Sequence, residues 1–324
     1  MKKTEQNNVD LSSARKNKAD EFYTAYGDVA SEMCLYDSQF RDKIVYCPCD
    51  DADKSNFFKY FRDNFAVLGL KKLIATCFRK GDRGSMTVVE NSTETTSQMS
   101  SDGDFRSDEC VEILRNVDIV VTNPPFSLFR EFIDLLNKMN VLYIILGNIN
   151  AVTYREVFKH IISHKITLGG SIHSGDREFK VPDDYPLDGI ACRVGDDGNK
   201  YIRVKGVRWF TNMEYSHPGV RHTILTARYD SDVYRKFDTF DAINVNTMKE
   251  IPIDYDGVMG VPITVIDKLN KDRICEFKDD NGNIMLFSII GQLNSGNGQN
   301  YDFAKPILDG KCKFKRLLIK KESS

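Results

Sequence analysis

Short apolar runs alternate with segments of helical periodicity along most of the chain. The runs that have the character of buried strands lie at 43–47, 73–77, 118–122, 141–146, 166–168 and 207–213. Between them, apolar residues recur every three or four positions, as they do after Ser55, a residue type that often caps a helix. Strands that are apolar on both faces and separated by helices form a mostly parallel sheet with both faces covered. The sequence therefore predicts an α/β fold.

Polar and aromatic residues follow several of these runs, at the point where each predicted strand ends. They are Cys49, Asp50, Asp51, Phe78, Asp104, Phe105 and the four residues from Asn123 to Phe126. Open parallel sheets bind their ligands in the crevice outside the carboxyl ends of the strands. We therefore expect these residues to converge on one binding crevice.

The sequence Asn123-Pro124-Pro125-Phe126 ends one apolar run and precedes a helical pattern. The two prolines forbid a helix here and remove two backbone donors, so the Asn123 side-chain oxygen and the Pro124 carbonyl remain as acceptors. Phe126 adds a flat apolar face. Two acceptors beside such a face suit a planar base with an exocyclic amine, and stacking of a base on an aromatic ring contributes about 1–3 kcal/mol. The alternative is a Pro-Pro turn in which Phe126 only covers the core.

Composition excludes several classes of protein. No run approaches the roughly 18 apolar residues of a membrane-spanning helix, and the polar N-terminus lacks the apolar segment of a secretory signal. The eight cysteines form no Cys-x-x-Cys pair and the five histidines have no metal-ligand spacing, so neither a disulfide framework nor a metal site is expected. We expect a cytoplasmic protein with reduced thiols and no bound metal.

Two basic segments stand out because the net charge of the whole chain is only −2. The first contains Arg15, Lys16 and Lys18, and the second, 311–321, contains Lys313, Lys315 and Arg316 around Phe314. Basic segments with an interleaved aromatic residue are typical of surfaces that contact a phosphate backbone. The alternative is that both segments are solvated tails that keep the protein in solution.

The pattern of the chain also predicts its domains. Residues 1–19 are polar and form a basic arm, which we expect to be ordered only on binding. The alternation of strands and helices continues to about residue 225, after which short β-like runs and turn sequences replace it. We therefore predict one domain at 20–225 and a separate region at 226–324.

Several segments resemble one family, the EcoRI-type adenine-specific DNA methyltransferases, and they follow that family's order along most of the chain. They are ADEFYTAY (19–26), VYCPCDDADKSNFFKYF (45–61), LGLKKLIATC (68–77), GDFRS (103–107), DIVVTNPPFSLFREF (118–132), FDAINVN (240–246) and DYDGVMGVPIT (254–264). The resemblance implies a Rossmann-like sheet that uses S-adenosylmethionine, with a C-terminal DNA-recognition region.

The resemblance also implies roles for single residues. Phe22, Tyr23 and Thr24 match the element that closes over the methionine part of S-adenosylmethionine. Asp50 and Asp51 match the turn where a carboxylate pairs with the ammonium group of the cofactor. Asp104 matches the acceptor for the cofactor's adenine amine, and Phe105 packs on that ring. The motif from Asn123 to Phe126 holds the target adenine, and Cys49 and Phe78 complete the cofactor-contacting set at the strand ends.

Two departures from the wider methyltransferase superfamily concern the cofactor site. The stretch PCDDADKS after the first strand contains no glycine, although backbone access to the cofactor is usually provided there by glycine. No acidic residue follows LIATC, where Phe78 stands in place of a ribose-binding carboxylate. Structural alternatives also remain: Asp50 and Asp51 as helix caps, Asp104 as a solvated turn residue, and Tyr23 as ordinary core.

The predicted reaction is methyl transfer from S-adenosylmethionine to the exocyclic amine of adenine in double-stranded DNA. The base must be flipped out because its amine is engaged within the duplex. We expect a monomer that protects DNA in a restriction-modification system beside a cognate endonuclease, or an orphan methylase. The alternatives are methylation of cytosine and sequence-specific DNA binding without catalysis. A general nucleotide-binding module is not supported, since no GxGxxG or Walker sequence is present.

Overall fold

The structure is a computed structural model that describes residues 22–173, 175–183, 185, 192–215, 222–270, 272–294 and 304–322. The predicted basic arm, with Arg15, Lys16 and Lys18, lies outside the described residues. The chain divides into two compact units. The first unit is Met1–Asn148 with Gly169–Tyr215, and the second is Ile149–Leu168 with Ser216–Ser324.

The division into units differs in detail from the predicted boundary near 225. The changeover lies at Tyr215 and Ser216, and the segment 149–168 also belongs to the second unit. Contacts distant in sequence explain this assignment. Thr153 accepts a hydrogen bond at its main-chain oxygen from Asn294 (3.2 Å) and another at its Oγ1 from Lys315 (2.9 Å). The local pattern of strands and helices carries no sign of such contacts.

The regular elements are numbered in chain order. The α-helices are α1 (Tyr26–Met33), α2 (Asn56–Asp63), α3 (Phe65–Leu68), α4 (Asp108–Arg115), α5 (Phe129–Met139) and α6 (Arg155–Ile162). The first strands are β1 (Ile44–Pro48), β2 (Lys72–Cys77), β3 (Ser85–Glu90), β4 (Thr93–Gln98), β5 (Ile119–Thr122), β6 (Leu142–Asn148) and β7 (Thr167–Leu168). They are followed by β8 (Asp176–Lys180), β9 (Cys192–Val194), β10 (Lys200–Lys205) and β11 (Val207–Thr211). The last strands are β12 (Lys236–Phe237), β13 (Phe240–Asn244), β14 (Met259–Pro262), β15 (Cys275–Lys278), β16 (Ile284–Leu293), β17 (Ile307–Leu308), β18 (Lys311–Cys312) and β19 (Arg316–Lys321).

The first unit is built on a Rossmann-like sheet with the strand order β4-β3-β2-β1-β5-β6-β11. Strands β2, β1, β5 and β6 are parallel to one another, whereas β3, β4 and β11 run antiparallel to their neighbours. The chain passes from β1 to β2 on one side and later returns to β5 on the other. The carboxyl ends of β1 and β5 therefore form the topological switch point, where open sheets of this kind bind ligands.

The predicted parallel core is confirmed at the strands nearest the switch point. All four residues of β5 are buried, as expected for a strand covered on both faces. The predicted helix cap is also confirmed, because the Ser55 hydroxyl accepts hydrogen bonds from the main-chain nitrogens of Phe57 (3.1 Å) and Phe58 (3.4 Å). This cap fixes where α2 begins and so fixes the length of the loop that follows β1.

The segment 81–101 is rich in Ser, Thr and Asn, a composition typical of an exposed insertion, but it adds two strands to the sheet. β3 pairs with β2, and β4 pairs with β3 through a tight turn at Asn91 and Ser92, whose φ angles are 49° and 62°. Every residue of β4 is exposed, which is why its Ser- and Thr-rich sequence looks like a loop. β-Branched threonines nevertheless favour extended backbone at the edge of a sheet.

The first unit also contains the three-stranded sheet β8-β10-β9. The second unit contains the sheet β12-β13-β14-β19-β16-β15 and the β17-β18 pair. Its sheet buries apolar side chains of several strands, among them Ile243, Val261, Phe287, Leu317 and Ile319. Within the described ranges, no helix combines the length and the apolar character that crossing a membrane requires.

Candidate active site

The Asn-Pro-Pro-Phe motif occupies the short connection between the end of β5 and α5. The Asn123 amide nitrogen donates a 2.8 Å hydrogen bond to the main-chain carbonyl of Phe22. The Asn123 Oδ1 atom is buried and has no hydrogen-bond partner. A carbonyl can only accept, so this bond identifies which end of the amide carries the hydrogens. A buried acceptor without a partner is costly in a folded protein, and it therefore marks a position where a ligand donor fits.

Phe126 does not provide the open stacking face that was predicted. Its side chain is only 8% exposed. Its ring lies 5.6 Å from that of Phe22, tilted by 58°, and 6.5 Å from that of Phe179 in an edge-on arrangement. Burial of large aromatic surface is favourable, so the three rings cover one another. In this structure Phe126 is therefore part of an aromatic cluster and is not an open stacking face.

Asp50 connects the loop after β1 to the end of β5. Its Oδ1 accepts a 2.5 Å hydrogen bond from the Ser55 hydroxyl, and its Oδ2 lies 2.6 Å from the Thr122 hydroxyl. Burial raises the pKa of Asp50 to about 7. Ser55 itself caps α2, so Asp50 orients the capping residue and is not the cap. The Asp50 carboxyl group is thus bonded to Thr122, the residue that precedes Asn123 in the chain.

Asp51 has a local role in the same loop. Its Oδ1 accepts a 3.0 Å hydrogen bond from the main-chain nitrogen of Asp53, and its main-chain oxygen accepts from Lys54 and Ser55. These contacts fit the structural alternative of a turn residue. Of the two carboxylates predicted for the cofactor's ammonium group, Asp50 is the one that the structure buries.

Cys49 adopts a backbone conformation for which glycine is the usual residue, although this loop contains no glycine. Its φ angle is +64°, in the left-handed region that glycine enters without steric cost. Burial also raises the pKa of the Cys49 thiol, so the side chain stays a neutral thiol. The glycine-free sequence PCDDADKS thus still makes the sharp turn that places Asp50 at the switch point.

The unfolding free energy of Cys49 variants is expected to depend on how readily each residue adopts a positive φ angle. Cys49→Gly removes the steric strain but increases the entropy lost on folding by about 0.5–1 kcal/mol, so the unfolding free energy should stay close to that of the natural chain. Cys49→Val places a β-branched side chain in the left-handed region and should lower the unfolding free energy by about 1–3 kcal/mol. Chemical denaturation of the two variants measures the difference. Equal stability of the valine and glycine variants would show that the turn carries no strain.

The segment Phe22-Tyr23-Thr24 makes two further hydrogen bonds within the first unit. The Tyr23 main-chain nitrogen donates to the Lys180 carbonyl at 2.9 Å, which forms an isolated antiparallel bridge with β8. The Thr24 carbonyl accepts a 2.8 Å bond from the Asn56 side chain at the start of α2. The Thr24 hydroxyl is buried without a partner. Like Asn123 Oδ1, this hydroxyl is a position where a bound group could complete the hydrogen bonding.

The predicted adenine-binding residues are arranged differently from the expectation. Both carboxylate oxygens of Asp104 accept from the Arg106 guanidinium, at 2.9 Å from Nε and 2.6 Å from Nη2, and these bonds hold the pKa of Asp104 below its usual range. The Phe105 ring is buried edge-to-face on Phe132, with centroids 5.0 Å apart. Phe78, at the end of β2, is 39% exposed and offers the accessible ring.

Three of the contacting residues were not singled out in the sequence as site residues. Thr122, Ser55 and Arg106 bind Asp50 or Asp104 directly. The signal available for Arg106 was its place in GDFRS, one of the family-like segments. Thr122 and Ser55 are ordinary strand-end and capping residue types, and only their contacts give them a place in the site.

Comparison with known proteins gives the family. The family model described as "Adenine-specific methyltransferase EcoRI" matches residues 10–322. The chain belongs to this family. The methyltransferase is 41% identical over 332 residues to the "Type II methyltransferase M.EcoRI" of Escherichia coli. The aligned region covers 96% of this chain and 95% of the relative.

Two further relatives of the methyltransferase come from mycoplasmas. "Type II methyltransferase M.MgeORF184P" of Mycoplasma genitalium is 34% identical over 318 residues, with 95% of this chain and 98% of the relative covered. "Type II methyltransferase M.MpnI" of Mycoplasma pneumoniae is 36% identical over 260 residues, with 79% and 81% covered. The predicted adenine-specific DNA methyltransferase of the restriction-modification type is confirmed, and the cytosine and non-catalytic alternatives are set aside. Such methyltransferases generally use S-adenosylmethionine.

The C-terminal basic segment of the methyltransferase is only partly available to a phosphate. Arg316 is 8% exposed, and its guanidinium donates to the Asn244 side chain and to the main-chain oxygens of Phe314 and Lys315. Burial also lowers the pKa of Arg316. The interpretation of Arg316 as a phosphate contact is therefore revised to a structural role. Lys315 donates to Thr153, and Lys313 is half-buried.

Proposed function

We propose that this methyltransferase transfers the methyl group of S-adenosylmethionine to the exocyclic amine of an adenine flipped out of double-stranded DNA, with the Asn123 Oδ1 atom as an acceptor for that amine. The observation that carries the proposal is the buried, unpartnered Oδ1 atom at the end of β5. It is an acceptor held in place before any base arrives. An amine with two hydrogens supplies the donor that this position lacks.

The residues at the switch point fit S-adenosylmethionine. The buried Asp50 carboxyl would pair with the ammonium group, and the buried, unpartnered Thr24 hydroxyl belongs to the segment predicted to close over the methionine part. Phe78 offers a ring for the cofactor's adenine. Asp104 can still accept from an adenine amine, because a carboxylate has about four lone-pair sites and Arg106 uses only some of them.

S-adenosylmethionine, when bound, supplies an electrophilic methyl group on a sulfonium, so the protein needs no side-chain nucleophile. The task of the chain is to orient the target amine and to favour positive charge as it develops on the amine nitrogen. Asn123 Oδ1 and the Pro124 carbonyl do this as fixed acceptors. Because they are part of a proline-rigid turn, they need little reorganisation during the reaction.

Base flipping requires a change in the aromatic cluster. Extruding a base costs a few kcal/mol, and stacking on Phe126 returns about 1–3 kcal/mol. In the structure Phe22 occupies the neighbourhood of the Phe126 ring. We propose that the base and the Phe22 ring exchange places on Phe126 during flipping.

DNA binding is proposed for the basic arm and for the region 226–324 that follows the catalytic part. The arm residues Arg15, Lys16 and Lys18, together with Lys313 and Lys315, are the proposed phosphate contacts. Bases would be read by side chains of the second unit. Its sequence contains no catalytic motif, which supports a recognition role.

Neutralising the arm is expected to weaken binding to every DNA sequence. The triple change Arg15→Gln, Lys16→Gln and Lys18→Gln removes three counterion-releasing charges. The slope of log affinity against log salt should therefore become shallower by about 2.7. Fluorescence anisotropy with cognate and unrelated duplexes at several salt concentrations measures both effects.

The matched control neutralises three exposed cations of helices in the first unit, Arg62, Arg115 and Lys138. It changes the net charge by the same amount, so it separates local phosphate contacts from a general charge effect. Equal salt slopes for the two triple variants would mean that the arm is only a solvated tail.

The biological setting is also proposed. The type II names of the relatives support action beside a cognate endonuclease that shares the recognition sequence. We propose that the chain acts as a cytoplasmic monomer. Sedimentation of the protein on a single-site duplex tests the stoichiometry, since a dimer would bind two chains per site.

Long-read sequencing of DNA from a host that expresses the chain tests the proposed function. We expect methylated adenines within one recurrent sequence, and none in a host that expresses Asn123→Ala. Modified cytosines, or unmodified DNA with the natural chain, would overturn the proposal.

A further inference from the structure

We infer that Phe22 is a positioning residue whose main-chain carbonyl sets the orientation of the Asn123 amide, so that only Oδ1 faces the target amine. The inference rests on the proposed function. A side-chain amide has a roughly two-fold torsional profile, and turning it over exchanges its oxygen and its nitrogen. The turned-over amide would present donor hydrogens to an amine that also has donor hydrogens. The 2.8 Å bond from Asn123 Nδ2 to the Phe22 carbonyl selects the productive orientation.

Two independent contacts hold the Phe22 carbonyl in place. On one side, the next residue, Tyr23, donates its main-chain N–H to the Lys180 carbonyl at 2.9 Å. On the other side, the Phe22 ring is buried against Phe179, 5.8 Å away, and Tyr185, 6.3 Å away. Because the backbone bridge does not involve the ring, it is the contact that holds the carbonyl at Asn123 when the Phe22 ring moves off Phe126 during flipping.

This arrangement links the N-terminal segment to the chemical step. The segment that orients Asn123 also carries Thr24, whose buried hydroxyl has no partner. An undocked segment would leave the motif complete in sequence but would leave the amide free to turn over. The orientation of the acceptor at the end of β5 thus depends on two segments that lie far apart in the sequence, and the motif alone does not fix it.

The substitution Asn123→Asp separates this role from a merely structural one. An ionised carboxylate has no hydrogen, so one of its oxygens would face the Phe22 carbonyl as acceptor against acceptor. A protonated carboxyl donates its O–H to Phe22 and leaves the other oxygen for the amine, as asparagine does. The variant should therefore be active only in its protonated form.

The expected result is a pH profile. The single-turnover rate of Asn123→Asp, divided by that of Asn123→Ala, should rise by up to about tenfold for each unit of pH lowered from 8 to 6, following the protonated fraction of the new carboxyl. The division is needed because Asp50, bonded to Thr122 beside Asn123, titrates in the same range in both variants. The rates are measured at saturating cofactor. A separate cofactor-binding measurement on each variant confirms that both proteins are folded.

A second pair of variants tests the route through the backbone. Tyr23→Ala and Tyr23→Pro both remove the ring, but only proline removes the N–H that donates to the Lys180 carbonyl. Placed in the Asn123→Asp protein, Tyr23→Pro should flatten the pH profile, whereas Tyr23→Ala should retain its slope.

The outcomes distinguish this inference from the function on which it rests. A ratio that is flat or rises with pH, in a protein whose natural form methylates adenine, would overturn the role of Phe22 alone. A natural chain that does not methylate adenine, or an Asn123→Ala variant with the natural rate, would overturn the proposed function and this inference with it. Equal slopes for the two Tyr23 double variants would remove the backbone bridge from the mechanism.

Discussion

Replacing Asn123 with alanine is expected to lower the single-turnover rate of DNA methylation by about 100- to 1000-fold, the usual effect of losing one acceptor aimed at developing charge. Cofactor binding and DNA binding should change little. Asn123 lies at the tip of β5 and its oxygen has no partner within the described structure, so its removal breaks one bond, to the Phe22 carbonyl. Rapid-quench measurement of methyl transfer on a cognate duplex, with enzyme in excess, gives the rate. A rate within threefold of the natural one would contradict the role of Asn123.

Phe126 provides the comparison, because it should affect flipping more than chemistry. Its burial against Phe22 and Phe179 makes alanine a poor choice, since a large cavity typically costs about 3–5 kcal/mol of stability. Phe126→Leu keeps most of the volume and removes the stacking face. A mismatch at the target adenine lowers the cost of flipping, so it should partly rescue Phe126→Leu and should not rescue Asn123→Ala. Equal rescue of both variants would contradict the assigned roles.

The second large effect is expected at Asp50. Asp50→Asn should weaken cofactor binding by about 10- to 150-fold, because a hydrogen bond to a charged group typically contributes about 1.5–3 kcal/mol. The neutral amide retains the shape of the carboxyl group and can still contact Ser55 and Thr122. Isothermal titration calorimetry measures the dissociation constant. The matched control is Asp53→Asn, which removes the same charge from an exposed side chain of the same loop. Equal weakening by both substitutions would point to general electrostatics.

The pKa of Asp50 adds a pH dependence whose sign can be worked out. Burial raises this pKa from 3.8 to about 7, so the free protein holds the proton up to neutral pH. A cationic ligand binds the ionised form better, and cofactor affinity should therefore increase as the pH rises from 6 to 7.5, with release of a proton. Above about pH 8 the ligand's own amine begins to lose its charge and affinity should fall. Asp50→Asn should lose the increase between pH 6 and 7.5.

The raised pKa of Asp50 also affects the stability of the fold, which should decrease with rising pH whereas cofactor affinity increases. A carboxyl group whose pKa is higher in the folded than in the unfolded protein stabilises the fold at low pH. Its contribution is lost as the pH rises from about 4, the usual value of an unfolded aspartate, through the folded value of about 7. The unfolding free energy of Asp50→Asn should lack this decline. Asp50 thus favours ligand binding at a pH where its ionisation disfavours folding, as expected of a residue selected for function.

The sequence was sufficient for elements that are set by local pattern. The apolar run before Asn123 became a fully buried parallel strand, and Ser55 became the N-cap of α2, because burial periodicity and capping are properties of neighbouring residues. The hairpin of β3 and β4 was missed, since its outer strand is polar throughout. The assignment of 149–168 to the second unit was also missed, because it depends on partners such as Asn294 that are far away in sequence.

The candidate active site likewise combines features that the sequence predicts with features for which it carries no signal. That residues after β1 and β5 meet at one edge follows from parallel topology, and the contact between Asp50 and Thr122 agrees with it. The bond from Asn123 to the Phe22 carbonyl had no sequence signal, because every residue type has a main-chain carbonyl. Burial of Arg316 was likewise missed, since a Lys- and Arg-rich sequence shows charge and gives no information about which side chain turns inward.

The most direct test of the central claim is to follow the transferred methyl group to its acceptor atom. The purified chain is incubated with unmethylated double-stranded DNA and S-adenosylmethionine that carries an isotopically labelled methyl group, and the DNA is digested to nucleosides for mass spectrometry. We predict label on the exocyclic amine of adenine, about 100- to 1000-fold more slowly with Asn123→Ala. Label on cytosine, no label in DNA, or equal labelling by both proteins would contradict the account.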